Sequence, residues 1–336
     1  MEKIKVAVNG YGTIGKRVVD AVRLQKDMEL VGITGHSYNF RMEVAHDCKI
    51  PIYIFDGEND FEENGIKPAG SADDLFDEAD IIVDCTPKKI GKENKEKYYI
   101  PKKKKAIFQG GEKPDIAQIS FVAQCNYKEA IGKDYVRVVS CNTTGLCRAL
   151  KVVDDLYGLG LVHATMIRRG ADPGDIFHGP INAIVPVLEL PSHHGPDVQT
   201  VLHNVNIFTT AMSVSTTLMH CHSIHAECKK TPNVKDLIEK LKHTTRIRMV
   251  RTSERVRSTA EIMELARDLS RSRGDMPELC LWEEAIGVSG KNLFYLQAVH
   301  QESIVVPENI DAIRAMMGFK DAEKSIEMTN KALNVK

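Results

Sequence analysis

The sequence predicts an α/β protein of two domains, the first on a doubly wound parallel sheet and the second an α+β domain with a large mixed or antiparallel sheet. Three observations lead there. Alternating apolar residues Ile4, Val6 and Val8 run into glycines at 10, 12 and 15 and then into a helically spaced segment. Short apolar strands and helix-length polar stretches alternate as far as residue 140, after which a long helix gives way to β-rich segments. The 336 residues also exceed the ~250–300 over which one core usually stays undivided.

In order, Ile4–Val8 reads as a strand and Lys16–Leu24 as a helix with Val18, Val19 and Val22 on its apolar side. Leu30–Thr34, Ile81–Cys85 and Val136–Val139 supply further strands, and such alternation packs most economically as a parallel sheet. The lysine-rich stretch Lys88–Lys105 mixes acids and aromatics with its cations, so it reads as a solvated helix and loop without functional weight. Thr143–Tyr157 is the long helix. Beyond it Val162–Ile167, Ala183–Val187, Val205–Met212, His222–Cys228 and Phe294–Val299 read as strands, with helices at Val234–Leu241 and Thr259–Leu269. Pro307–Leu333 returns to helix formers with proline at the start, and is expected to pack against the first domain.

Composition removes several classes of function. With 45 basic against 46 acidic side chains, 27% charged and 43% hydrophobic residues, the chain is neither a nucleic-acid-binding polycation nor a disordered tail. Its apolar runs, such as Ile81–Val83, fall far below the ~20 residues of a membrane-spanning helix, and the N-terminus has no signal-peptide core. Eight cysteines without a C-x-x-C pair suit a reducing compartment. A cytoplasmic protein with no membrane or nucleic-acid partner is expected.

The segment Val8-Asn9-Gly10-Tyr11-Gly12-Thr13-Ile14-Gly15 places G-x-G-x-x-G between strand and helix. There glycines permit a tight turn and let backbone N–H groups approach a pyrophosphate at a helix N-terminus, which points to a dinucleotide; the bare pattern alone would be only a turn. An acid ~20 positions on would grip the ribose 2′-hydroxyl of NAD. Thr34-Gly35-His36-Ser37-Tyr38, with Arg41 beyond, offers none at the end of the second strand, which leans toward NADP or dual use.

Ser140-Cys141-Asn142-Thr143-Thr144 sits where a strand ends and a helix begins. First-turn amides favour a thiolate, so Cys141 is expected to be nucleophilic, with a pKa below the free value of ~8.5. The plainer reading is a buried structural cysteine, and that reading is kept for Cys147. Thr216–His222 supplies a proton-transfer partner: His220 and His222 fall on one side of an extended segment, and either would reach Cys141. A metal held by the pair with Cys221, Cys228 or His225 matches no common zinc spacing, so no metal is expected. Arg168-Arg169 ends a strand and His193-His194 lies in a loop, together an anion or phosphate receptor.

These residues resemble the archaeal-type glyceraldehyde-3-phosphate dehydrogenases over nearly the whole chain, through NGYGTIGKR, FQGGEK, RVVSCNTTGLCR, RRGADP, GPINAI, PSHHGPDV, TTLMH, STAEIMELA and QAVHQES. The resemblance implies a Rossmann NAD(P)-binding domain over 1–140 and 303–336, a catalytic domain over 141–302, and a homotetramer. It implies that Cys141 attacks the aldehyde of glyceraldehyde 3-phosphate, that His220 removes the proton, and that inorganic phosphate cleaves the resulting thioester to 1,3-bisphosphoglycerate. Ser140 and Asn142 would flank the nucleophile, and the amide of Cys141 would be an oxyanion donor. By the same resemblance Thr13, Ile14, Gly111, Arg169 and Gln301 join Gly10, Gly12 and Gly15 at the cofactor. His194 and Gly195 would touch substrate, with Arg168 and His193 near a phosphate. The chain departs from relatives that place lysine and threonine after the second strand, since Gly35-His36 stands there, so NADP preference over NAD is a hypothesis. Two other readings compete: a related semialdehyde or acyl-phosphate dehydrogenase, such as one acting on aspartate semialdehyde, and a non-catalytic NADP-sensing module.

Overall fold

The computed structural model describes residues 2–55, 60–172 and 179–336. It divides into two compact units, the first running to Val139 and resuming over Val306–Leu333, the second comprising Ser140–Val305 and Asn334–Lys336. Pro173 of the RRGADP motif lies outside the described residues.

In the first unit β1 (Ile4–Asn9), β2 (Met28–Gly35), β3 (Ile52–Ile54), β4 (Gly70–Ser71), β5 (Ile81–Asp84), β6 (Lys105–Gln109), β7 (Ile119–Phe121) and β8 (Tyr135–Val138) form one sheet. Its order is β4-β3-β2-β1-β5-β6-β8-β7, with parallel pairings throughout. Val6, Ala7 and Val8 in β1 and Ile81, Ile82 and Val83 in β5 are all buried at 0% exposure, so both faces of the sheet centre are covered. The chain builds outward from β1 in one direction and from β5 in the other. A doubly wound sheet opens its crevice where the order reverses, at the strands' carboxyl ends, and Asn9 and Asp84 are register partners there.

The C-terminal stretch breaks into two helices, Val306–Met316 and Ala322–Leu333, either side of Gly318 at φ +89°. The first is buried along its whole length against the helix Gly15–Arg23 and strands β6 and β8. Arg314 ties it in, donating to both carboxylate oxygens of Asp27 at 2.8 Å, to Gln25 at 2.8 Å and to Thr329 at 2.7 Å. A guanidinium that is 1% exposed with this many charge-assisted partners is well compensated.

The second unit opens with the helix Cys141–Tyr157 and continues through β9 (Leu159–Arg169), β10 (Val185–Pro186), β11 (Asn206–Val214), β12 (His220–Cys228), β13 (Ile247–Val250), β14 (Leu279–Trp282), β15 (Gly287–Ser289) and β16 (Asn292–Val299). The sheet is mixed, in order β10-β11-β9-β12-β16-β14-β13 with β15 on β16. Period-two burial is clear in β12, where His220, His222, Ile224, Ala226 and Cys228 are buried and the residues between them are not. The helix Cys141–Tyr157 packs on β9, β12 and β16, so the buried histidines face it. Ala183–Val187, expected as a full strand, shrinks to Val185–Pro186 at the sheet edge. Pro186 has no N–H to donate, which confines such a segment to an edge.

Candidate active site

In the first unit the glycines divide the work of the turn after β1. Gly10 has φ +93°, and a Cβ on it would lie 3.2 Å from the carbonyl of Cys85; a Cβ on Gly15 would sit 1.9 Å from the Gly10 oxygen. Nothing lies within 4 Å of the space where a Gly12 side chain would be. The turn therefore packs tightly on one side and is open to a ligand on the other. A cavity of about 620 Å³ lies over it, lined among others by Gly10, Gly12, His36, Arg41, Glu93 and Lys97. Its size and Gly-lined floor fit a dinucleotide's adenosine and phosphates.

A buried network braces the turn from below. The Gly10 N–H donates to Thr34 Oγ1 at 2.9 Å, and Thr34 donates to Asn9 Oδ1 at 2.7 Å. Asn9 in turn donates to the Tyr99 hydroxyl at 2.7 Å, which donates to Asp84 Oδ2 at 2.6 Å. Asn94 and Thr86 donate to the same carboxylate. Lys88–Lys105, read from sequence as solvated and without function, is corrected here: Asn94 and Tyr99 turn inward to this network, and Lys97 and Tyr98 line the cavity. Thr34→Val leaves the Gly10 amide and Asn9 Oδ1 without partners. It should lower stability by about 1–3 kcal/mol, read by denaturant titration, and an unchanged midpoint would count against the brace.

In the second unit Ser140 caps the helix Cys141–Tyr157, its Oγ accepting from the Thr143 N–H at 3.3 Å. Cys141 is therefore the first helical residue, half-buried, with Sγ 3.5 Å from His220 Nε2. Helix position alone suggests a lowered thiol pKa, and the structure corrects that. Burial pushes Cys141 up to about 11, outweighing Arg169, the Asn142 backbone N–H and Arg168, which pull it down.

His222 occupies different ground. It is fully buried, with Nε2 2.8 Å from Asn142 Oδ1 and Nδ1 3.0 Å from Gln297 Nε2. The Nε2 group of Gln297 can only donate, so the chain reads in one direction: Gln297 to His222, His222 to Asn142, and Asn142 Nδ2 to His194 Nε2 at 3.3 Å. His194 Nδ1 then donates to Ser192 Oγ at 3.1 Å, and Ser192 to Thr209 Oγ1 at 2.9 Å. Burial holds His222 down to about 3 and His194 down to about 2, so both rings are neutral at pH 7. The Gly195 N–H donates to Thr209 at 3.0 Å, and Thr143 Oγ1 donates to Asp197 at 2.7 Å. His194 and Gly195, expected at substrate, are thus engaged inside the protein, while His193 is exposed and stacked on His194 at 3.9 Å.

The arginine pair closes β9. Arg169 makes an ion pair with Asp172 at 2.9 Å, and its backbone N–H donates to His220 Nδ1 at 3.0 Å. Gln301 donates to the Thr217 carbonyl at 3.2 Å, and its buried Oε1 has no partner among the described residues, leaving an acceptor for an amide such as a nicotinamide carboxamide.

Comparison with known proteins decides the family. The chain is 53% identical to glyceraldehyde-3-phosphate dehydrogenase of Methanobacterium bryantii over 334 residues, covering 98% of this chain and 99% of that one. The chain belongs to the glyceraldehyde-3-phosphate dehydrogenase family. The enzymes of the same name from Pyrococcus furiosus, 52% identical over 335 residues with 99% of each chain covered, and from Archaeoglobus fulgidus, 50% over 338 residues with 100% of this chain and 99% of that one, agree. The family described as glyceraldehyde 3-phosphate dehydrogenase, C-terminal domain, matches residues 140–283, and that described as dihydrodipicolinate reductase, N-terminus, matches 4–124. The family resemblance read from the sequence and the Rossmann-plus-mixed-sheet architecture are therefore borne out, as is an oxidoreductase using a nicotinamide cofactor.

Within this member of the glyceraldehyde-3-phosphate dehydrogenase family, Cys141, His220, Ser140, Asn142, Arg168, Arg169, His193, His194, Gly195 and Gln301 all fall in the second unit. Gly10, Gly12, Thr13, Ile14, Gly15 and Gly111 fall in the first. Sequence reasoning missed Thr34, Tyr99 and Asp84 under the glycine turn, and Ser192, Thr209, Asp197 and Gln297 around Asn142. A polar residue amid apolar strand residues, as at Thr34 and Gln297, was the available signal.

Proposed function

We propose that this protein is a phosphorylating glyceraldehyde-3-phosphate dehydrogenase, interconverting glyceraldehyde 3-phosphate plus phosphate with 1,3-bisphosphoglycerate. The observation that supports this most is Cys141 at the start of its helix, 3.5 Å from His220 and with the Arg168–Arg169 pair acting on its thiolate. Cys141 forms the thiohemiacetal and then the thioester; Arg168 and the exposed His193 hold phosphate oxygens, and Ser140 and Asn142 flank the sulfur. His220 serves the atom whose charge changes. When bound, a nicotinamide would supply the hydride acceptor; the first unit would offer Gly10, Gly12, Thr13, Ile14, Gly15 and Gly111 to the cofactor, and the second Arg169 and Gln301. A side-by-side assay with glyceraldehyde 3-phosphate and aspartate semialdehyde tests the substrate class. Preference for the semialdehyde would reject this reading, because a site built around a phosphate discriminates strongly against a substrate lacking it.

NADP is the favoured cofactor. The cavity lining sets Arg41 and Lys97 against the carboxylate of Glu93, and His36 and Ser37 at the end of β2 are exposed where an NAD-selective acid would stand. His36→Asp should lower the NADP-to-NAD ratio of kcat/KM by about tenfold or more, the equivalent of ~1.4 kcal/mol. A ratio that does not move, or wild-type preference for NAD, would refute the assignment.

Association as a homotetramer in the cytoplasm completes the reading. Phe208, Phe294 and Leu296 are 38%, 44% and 39% exposed on the outer face of the second sheet, while Ile181 and Leu188 are 89% and 88% exposed. Such apolar surface suits contact with further copies of the chain. Sedimentation velocity reads the assembly directly, and a monomer at micromolar concentration would exclude it. None of the eight cysteines is joined in a disulfide, in keeping with a reducing compartment.

A further inference from the structure

Six buried side chains of the second unit, Gln297, His222, Asn142, His194, Ser192 and Thr209, share one line of hydrogen bonds whose direction the backbone fixes at the Thr209 end. The Thr209 hydroxyl has a single proton. It goes to the Ser192 carbonyl at 2.8 Å, so Thr209 Oγ1 accepts from the Gly195 N–H and from the Ser192 hydroxyl. Ser192 has then used its own proton, and its Oγ must accept from His194 Nδ1, which carries the hydrogen. Because His194 is neutral, its Nε2 offers a lone pair to Asn142 Nδ2. Asn142 Oδ1 therefore meets a protonated His222 Nε2, and His222 Nδ1 accepts from Gln297 Nε2. No amide in the line can flip without setting two donors or two lone pairs against each other.

The line runs beneath a surface group. His193 is exposed and stacked on His194, with ring centroids 3.9 Å apart and planes at 29°. We propose that Gln297 and His222 are positioning residues for substrate recognition: acting through Asn142 and His194, they hold a fixed, uncharged imidazole under His193 and so set that ring for the phosphate group of the substrate. This rests on the part given to His193 above and extends it to two side chains buried behind it.

Hydrogen bonds at both nitrogens hold the His194 ring in one plane, so His193 packs on a surface that does not turn. Burial first, then His193 and Arg168, hold His194 down to about 2, which keeps it neutral at pH 7. A charged ring there would oppose charge on His193, whereas a neutral one adds no repulsion when His193 takes a proton beside a phosphate. At the other end Gln297 Oε1 is buried with no partner among the described residues, a cost that a leucine of similar size would avoid. What the glutamine supplies is the N–H to His222. Asn142 directly follows Cys141, so one line of bonds registers the sulfur that attacks the aldehyde carbon against the ring that meets the phosphate.

Kinetics with glyceraldehyde 3-phosphate and with unphosphorylated glyceraldehyde test this in the full-length wild type, His222→Leu and His222→Gln, each with cofactor and inorganic phosphate. His222→Leu should raise KM for glyceraldehyde 3-phosphate about tenfold with kcat within about threefold, the pattern of binding lost equally from ground and transition states. Its kcat/KM for glyceraldehyde should stay within about threefold of wild type. His222→Gln, whose amide offers one acceptor and one donor, should recover most of the loss. Equal losses on both substrates, or an unmoved KM, would overturn the proposal. Histidine-ring ¹⁵N spectra of the wild type, assigned with His194→Gln and His222→Gln, read the line without substrate: at pH 7 His194 should hold its proton on Nδ1 and His222 on Nε2. The opposite tautomer at either ring, or a doubly protonated ring, would also overturn it, whether or not His222→Leu folds. Wild-type kcat/KM no higher for glyceraldehyde 3-phosphate than for glyceraldehyde would reject the triose phosphate reading, and the role of the line with it, while the tautomers stayed as expected.

Discussion

Cys141→Ser lowers turnover of glyceraldehyde 3-phosphate by a factor on the order of 10⁴, the scale seen when a covalent nucleophile is lost. The reason lies in the two protonation states. A thiol pushed up to about 11 still yields a small thiolate fraction at pH 7, and thiolate is intrinsically a strong nucleophile. A serine hydroxyl in the same place has almost no alkoxide at pH 7 and is a far weaker nucleophile. The fold should survive, since Cys141 is half-buried and the Ser140 cap, not Cys141, holds the first helical turn. Cofactor binding by the variant, followed by fluorescence, should stay near wild type. Full turnover by Cys141→Ser would make this cysteine structural and revive the sensing module; one of the other cysteines would then have to be examined only if alkylation still abolished activity.

His220→Ala reduces the acylation rate by about 10²–10⁴, the cost of losing the group placed for proton transfer beside the sulfur. Its effect falls on the chemical step, so single-turnover rates drop while cofactor affinity holds. His222→Asn behaves differently. His222 contacts Asn142 and Gln297 and is not placed against the sulfur, so its loss leaves buried partners unsatisfied and lowers stability by about 1–3 kcal/mol, with a smaller effect on acylation. The reverse ranking, a large kinetic loss at His222 and a small one at His220, would exchange their roles.

The contrast shows where sequence reading stops. Strand alternation put His220 and His222 on one side, and β12 does bury both. It could not rank them, because what separates them is a residue each one meets across the unit: Sγ of Cys141 for one, the amide of Asn142 for the other. The glycine turn was readable because its steric demands are local, as the 1.9 Å approach at Gly15 makes plain. The brace beneath it was not, since Asn9, Thr34, Asp84 and Tyr99 come from four separate stretches of chain. Tyr99 sits in a lysine-rich run whose composition signals solvent. The thiol of Cys141 was misjudged for a related reason: helix position is visible in sequence, whereas the burial that outweighs it depends on how the helix 141–157 packs on β9 and β12. The partners that hold His194 and Gly195, Asn142 and Thr209, were likewise out of reach of the sequence, since they come from separate stretches of chain.

The most direct test of the central claim is reduced-nicotinamide formation from glyceraldehyde 3-phosphate, with NADP and NAD in parallel, each with and without inorganic phosphate. Steady turnover that requires phosphate, after at most one equivalent of reduced cofactor per active site without it, is the predicted result, because the Cys141 thioester then waits for phosphate to cleave it. Sustained turnover without phosphate would mean that water cleaves the thioester and would contradict a phosphorylating enzyme, and no turnover with either cofactor would contradict the dehydrogenase itself.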